Sequence, residues 1–159
     1  MTEIIIIRHG ETEWNKTGRF QGHSDVPLSE EGRAQAEALG KNLVVDHVDA
    51  IYASDLTRAM ETAAPLAERF GLPVIPDPQL RELNFGAWEG RNFNDVNAEN
   101  PDAMKNFYND PEQANIPDSE NFTNFQRRVA GRVREIAAQE RGKRIVIVSH
   151  GASIRILLA

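Results

Sequence analysis

The chain has 159 residues, 40% of them hydrophobic and 26% charged, which suits one folded domain with a core of its own and argues against disorder. A formal charge of −6 disfavours nucleic acid and anionic membranes as main partners, so an anion site has to be local. Cysteine is absent, which removes disulfides, thiolate catalysis and cysteine-ligated metal. The start carries no basic segment followed by a signal-length apolar stretch, and no apolar run reaches membrane-spanning length. The cytoplasm is the expected compartment.

The elements follow in chain order. Residues Glu3 to Arg8 carry four consecutive isoleucines without polar alternation, and predict a first central strand buried on both faces. A polar loop runs from Gly10 to Leu28. Ser29 is a helix cap, Glu30 and Glu31 oppose the dipole of the first turn, and the small face runs through Ala34, Ala38, Leu39 and Leu43. Ala50 to Ser54 is a second strand. Asp55 can cap a helix through Ala59, Ala63, Leu66, Ala67 and Phe70, ended by Gly71 and Pro73.

A short strand is expected over Val74 to Pro76. Between Pro78 and Pro117, prolines, asparagines and scattered aromatics predict short helices within a long connection of the kind that covers a site. Phe122, Phe125, Val129, Val133, Ile136 and Ala137 recur at spacings of three and four, an amphipathic helix with Asn121 as cap. Arg144 to Ser149 is the last strand, and a helix starts near Ala152. The alternation predicts one α/β domain over residues 1–159, with a mostly parallel central sheet between helical layers.

Both strand-forming runs end in a histidine: Ile7-Arg8-His9-Gly10-Glu11-Thr12 and Val148-Ser149-His150-Gly151. In a parallel sheet the runs finish at the same edge, where α/β sheets place their ligands. Two imidazoles and a guanidinium then meet in one crevice. A neutral imidazole is a good nucleophile near neutral pH, so a phosphohistidine enzyme is the leading reading.

Five ordered segments carry a resemblance: Arg8-His9-Gly10-Glu11-Thr12 with Asn15, Pro27-Leu28-Ser29-Glu30-Glu31-Gly32, Ala53-Ser54-Asp55-Leu56-Thr57-Arg58-Ala59 with Thr62, Leu80-Arg81-Glu82 leading into Phe85-Gly86-Ala87-Trp88-Glu89-Gly90, and Val148-Ser149-His150-Gly151. The chain resembles the histidine phosphatase superfamily, also called phosphoglycerate mutase-like. The resemblance implies a three-layer α/β/α sandwich, with 78–117 as lid and specificity insertion. It implies His9 as nucleophile, Arg8 and Arg58 as phosphate clamps, and His150 as a phosphoryl contact. Glu82 is the matching acid/base. Asn15 and Gly151 join the phosphate ligands, and Gln21 and Gly22 the rim. Glu89 is the rival carboxylate, while His23 and His47 receive no role.

No dense histidine-carboxylate spacing occurs, and paired arginines repel a cation, so the expected chemistry needs no metal and no cofactor. The expected function is hydrolysis of a small phosphorylated metabolite. The compact Glu82 to Gly90 segment resembles small bacterial phosphatases, including α-ribazole phosphatase. Two alternatives stay open, a cofactor-dependent phosphoglycerate mutase and a catalytically silent phosphate or phosphoprotein binder. Against the family pattern the chain ends early at Ala159, where relatives continue with more helix and usually another strand. Two readings of that ending stay open: a true terminus, with a different sheet edge for which intrinsic stability or a homodimer would compensate, or a fragment of a longer chain. Asp118-Ser119-Glu120-Asn121 stands where relatives often carry Gly-Gly-Glu-Ser.

Overall fold

In the computed structural model, which describes Met1–Ala159, four parallel strands form one sheet: Glu3–Arg8 (β1), Ala50–Ser54 (β2), Val74–Asp77 (β3) and Arg144–Ser149 (β4). Their order across the sheet is β1-β4-β2-β3, so the two histidine-terminated strands are neighbours. Seven α-helices surround the sheet: Glu13–Lys16 (α1), Glu30–Asn42 (α2), Thr57–Phe70 (α3), Phe93–Glu99 (α4), Pro101–Asn109 (α5), Phe122–Gln139 (α6) and Gly151–Leu158 (α7). The side-chain period of two in β4 sorts the layers. Val146 and Val148 pack with Ala59, Ala63 and Leu66 of α3, with Leu39 of α2 behind them. Ile145 and Ile147 face the other way onto Ile136 and Val133 of α6. This is the expected three-layer α/β/α sandwich.

The isoleucine run departs from expectation. β1 is an edge strand paired with β4 alone, and Ile4 to Ile7 are half-buried. The central place falls to β4, whose Ile145 to Val148 have no exposed surface. An apolar run signals coverage of both faces, and says nothing about how many strands flank it.

Two helix details also differ. α2 buries Gly32, Ala36 and Gly40, whereas Ala34 and Ala38 are exposed. Glycine lets the helix lie against α3 so closely that a Cβ at Gly40 would stand 2.7 Å from Pro65. α3 takes no cap from Asp55. Its Thr57 N–H donates instead to Asp25 Oδ1 at 2.7 Å, across 32 residues of sequence, while Asp55 holds Arg81 through two bonds of 2.6 and 2.7 Å. Ser29 and Asn121 cap α2 and α6 as expected, and Gly71 ends α3 in a left-handed conformation.

The segment 78–117 holds three one-turn 3-10 helices together with α4 and α5, and builds a second core. Phe20, Leu83, Phe85 and Trp88 pack there against Phe125 and Val129 of α6. Complete burial of Phe125 stabilises by about 1.5–3 kcal/mol. This core stands beyond the C-terminal ends of the strands, and its inner rim is one wall of the site.

Candidate active site

Strand register makes the first contact. Arg8 is paired with Ser149, so the residues that follow, His9 and His150, leave the sheet side by side. The His9 N–H donates to the Ser149 carbonyl at 3.0 Å, and the two ring centroids are 5.1 Å apart. His9 Nδ1 is 2.6 Å from the Gly10 carbonyl. A carbonyl only accepts, so Nδ1 carries the hydrogen and Nε2 keeps its lone pair. Burial lowers the His9 pKa to about 4, opposed by the bond to Gly10 and reinforced by the charges of Arg58 and Arg8. The ring is therefore neutral at physiological pH.

His150 is 1% exposed, and neither of its ring nitrogens has a protein hydrogen-bond partner. Burial, followed by the charges of Arg58 and His9, pushes its pKa well below the ordinary histidine value. A buried imidazole whose two nitrogens meet no protein group is costly unless something else supplies a partner.

Arg58 is likewise 1% exposed. Nη1 donates to the Ser24 carbonyl at 2.7 Å and Nη2 to the Gly22 carbonyl at 2.8 Å, while the buried Nε has no partner. Burial lowers its pKa to about 10, so the guanidinium stays charged. The loop that receives it is fixed by Glu89, which accepts from the His23 N–H at 2.6 Å and from Ser24 Oγ at 2.7 Å. Gly22 has φ +56°, and a Cβ there would lie 2.1 Å from Glu89 Oε1, so only glycine fits. Both oxygens of Glu89 serve the loop, which sets it apart from the reacting groups.

Glu82 sits at the start of α7. Oε1 accepts from the Leu83 N–H at 3.0 Å, the Ser153 N–H at 3.1 Å and Ser153 Oγ at 3.2 Å. Oε2 accepts from the Ala152 N–H alone, at 2.9 Å. A carboxylate oxygen has two lone pairs, so Oε2 is the atom with capacity left for a proton. Helix amides that would otherwise lack partners hold the group in place.

Thr12 caps α1 and orients two amides. Asn15 Oδ1 accepts from the Thr12 N–H at 2.9 Å and Gln21 Oε1 from Thr12 Oγ1 at 2.7 Å, so both NH2 groups remain as donors. Arg8 lies over Gly151, where a Cβ would stand 3.5 Å from Cζ. All nine residues singled out from the sequence, Arg8, His9, Asn15, Gln21, Gly22, Arg58, Glu82, His150 and Gly151, line a single cavity of about 240 Å³. Phe93 and Tyr108, both exposed, also line it.

Several supporting residues escaped the sequence reading. His23 has its Nε2 2.9 Å from the Glu82 carbonyl. Arg128 donates to the carbonyls of Gln79, Arg81 and Glu82 and pairs with Glu120 at 2.7 Å. Glu120, from the departing Asp118-Ser119-Glu120-Asn121 loop, also accepts from the Asn84 N–H. The Thr62 hydroxyl accepts from the Gly10 N–H at 2.9 Å. Thr62 was visible only as part of a motif, and Arg128 carries no local signal that marks it out. His47 pairs with Asp46 on the surface and takes no part. No group of three or more histidine or acidic side chains is arranged to hold a metal ion, and no helix is long and apolar enough to cross a membrane.

The cavity thus gathers a neutral imidazole, buried nitrogens without protein partners and a carboxylate oxygen with one open lone pair. Residues 4–159 match the model of the histidine phosphatase superfamily, branch 1. The chain belongs to that superfamily. It is 34% identical to phosphoserine phosphatase 1 of Hydrogenobacter thermophilus, over 98% of this chain and 74% of that protein. It is 36% identical to the "Probable phosphoglycerate mutase GpmB" of Yersinia pestis, over 100% of this chain and 74% of the relative. Among solved structures, YhfR of Bacillus stearothermophilus superposes with a TM-score of 0.93 at 36% identity, covering 100% of this chain and 79% of YhfR. Phosphatase and mutase names thus stand side by side among its relatives.

Proposed function

We propose that the protein is a metal-independent phosphomonoesterase that hydrolyses small phosphorylated metabolites through a phosphohistidine on His9. The observation that carries the reading is the bond between His9 Nδ1 and the Gly10 carbonyl, which leaves Nε2 as a buried, unprotonated nucleophile. In the first half-reaction Nε2 attacks phosphorus, the P–O ester bond breaks, and Glu82 gives its proton to the departing alkoxide. The phosphorylated ring is cationic, and the Gly10 carbonyl is placed to accept from its remaining N–H. In the second half-reaction the Glu82 carboxylate takes a proton from water as the oxygen attacks phosphorus. The N–P bond then breaks, and inorganic phosphate and neutral His9 are released.

Arg8, Arg58 and the free amides of Asn15 and Gln21 would hold the equatorial oxygens, with one ring N–H of His150 and the Gly151 backbone beside them. We read segment 78–117 as the specificity wall, since Phe85, Phe93, Phe107 and Tyr108 from it line the cavity. The test is a phosphate-release screen over metabolite esters with wild type and His9→Ala, joined to trapping of an acid-labile phosphoenzyme. His9-dependent release with a trapped intermediate supports hydrolysis. Rapid interconversion of phosphoglycerates with negligible release makes the protein a mutase, and tight phosphate binding with neither activity makes it a binder.

A further inference from the structure

Glu82 reaches the cavity from a stretch, Arg81 to Asn84, that belongs to no helix or strand, so its aim is set by whatever grips the backbone around it. The Glu82 carbonyl accepts from His23 Nε2 at 2.9 Å and from Arg128 Nη2 at 3.1 Å, and both of its lone pairs are engaged. A carbonyl only accepts, so His23 carries its hydrogen on Nε2. The other end of the same peptide group is the Leu83 N–H, which donates to Glu82 Oε1 at 3.0 Å. Donors on a peptide carbonyl polarise the group and strengthen the bond that its N–H gives. The Glu82 carboxyl is thus tied to its own main chain through a peptide whose far end His23 holds.

His23 is itself anchored. Its N–H donates to Glu89 Oε1 at 2.6 Å, and its two neighbours along the chain, Gly22 and Ser24, present the carbonyls that hold Arg58 at 2.8 and 2.7 Å. Three consecutive residues therefore grip the guanidinium with their main chain and the peptide of Glu82 with one side chain. That side chain is half-buried and is not among the groups that line the cavity, so it acts without touching what the cavity binds.

We infer that His23 is a positioning residue for the acid/base: through the Glu82–Leu83 peptide it holds the carboxyl with Oε1 saturated and Oε2 left for the proton, in fixed relation to Arg58. The inference rests on the phosphatase reading above and adds to it a residue outside the cavity. Arg128 keeps its bond to the same carbonyl when His23 is replaced, so the acid is loosened and not removed. The effect is therefore about tenfold in kcat/KM, below that of replacing Glu82 itself.

The test uses the full chain and two esters of similar size, benzyl phosphate and 4-nitrophenyl phosphate. The benzyl alkoxide has to be protonated as it departs, whereas nitrophenolate leaves as a stabilised anion. His23→Leu removes the donor and keeps the bulk, with His23→Ala as its companion should leucine disturb the fold. The variant should lose about tenfold in kcat/KM on the benzyl ester and less than about twofold on the nitrophenyl ester. His23→Gln, which returns an N–H near the Nε2 position, should restore most of the loss, and His23→Leu should add almost nothing in a Glu82→Gln background. Equal losses on the two esters, no loss on either, or a glutamine no better than leucine overturns the inference while leaving His9-dependent hydrolysis intact. Esters that stay inert with wild type, here and in the metabolite screen, would remove the hydrolase reading instead. Amide hydrogen exchange at Leu83 would then decide the hold on the carboxyl alone: about tenfold faster exchange in His23→Leu, reversed in His23→Gln, supports it, and unchanged exchange overturns it.

Discussion

The depressed pKa of His9 has a measurable consequence for stability. In the unfolded chain the imidazole takes its proton near the ordinary value of 6.5, whereas in the fold it does so near 4. Between those values a proton binds the unfolded chain and is refused by the folded one, so acid favours unfolding. The stability that neutral His9 permits is fully present above about pH 6.5 and is lost as pH falls toward about 4. At about pH 4.5 the linkage relation gives a loss of about 2.5 kcal/mol from this one ring, a large part of the 5–15 kcal/mol typical of a domain. Urea denaturation of wild type and His9→Asn, each at about pH 7.5 and about pH 4.5, isolates the effect, because the carboxylates that titrate in this range are common to both. Wild type should lose about 2.5 kcal/mol more than the variant on acidification. An equal loss in both proteins would refute the claim that the fold keeps His9 neutral.

Glu82→Gln should lower turnover by about 10²–10⁴-fold. It should also cost roughly 1–3 kcal/mol in thermal denaturation, because a glutamine amide must turn its NH2 toward backbone N–H groups that Glu82 now accepts. Arg58→Lys keeps the charge but cannot span the Gly22 and Ser24 carbonyls, so kcat/KM should fall by about 10²–10³-fold in steady-state assays with the fold intact by circular dichroism. Gly22→Ala forces a Cβ into a left-handed position against Glu89. It should cost at least about 1–2 kcal/mol by urea titration and weaken phosphate binding in calorimetry together. Asp25→Ala removes the distant cap of α3 and should cost about 1 kcal/mol by the same titration with little change in rate.

Periodicity, local caps and ordered motifs determined a good deal of this protein from the sequence alone. The alternation of apolar runs and amphipathic helices, the caps that start α2 and α6, the glycine that ends α3, and the meeting of His9 with His150 depend on neighbours along the chain or on the rule that parallel strands end together. What only the tertiary structure decided depends on pairs that are distant in sequence. β4 rather than β1 occupies the centre, because strand order is set by packing and not by composition. Asp25 caps a helix 32 residues away and frees Asp55 for Arg81, an exchange that no local pattern encodes. Glu89 and Glu82 are both glutamates in one short segment. One organises a loop and the other keeps an open lone pair at the cavity, since a carboxylate's role is fixed by the donors that surround it in three dimensions.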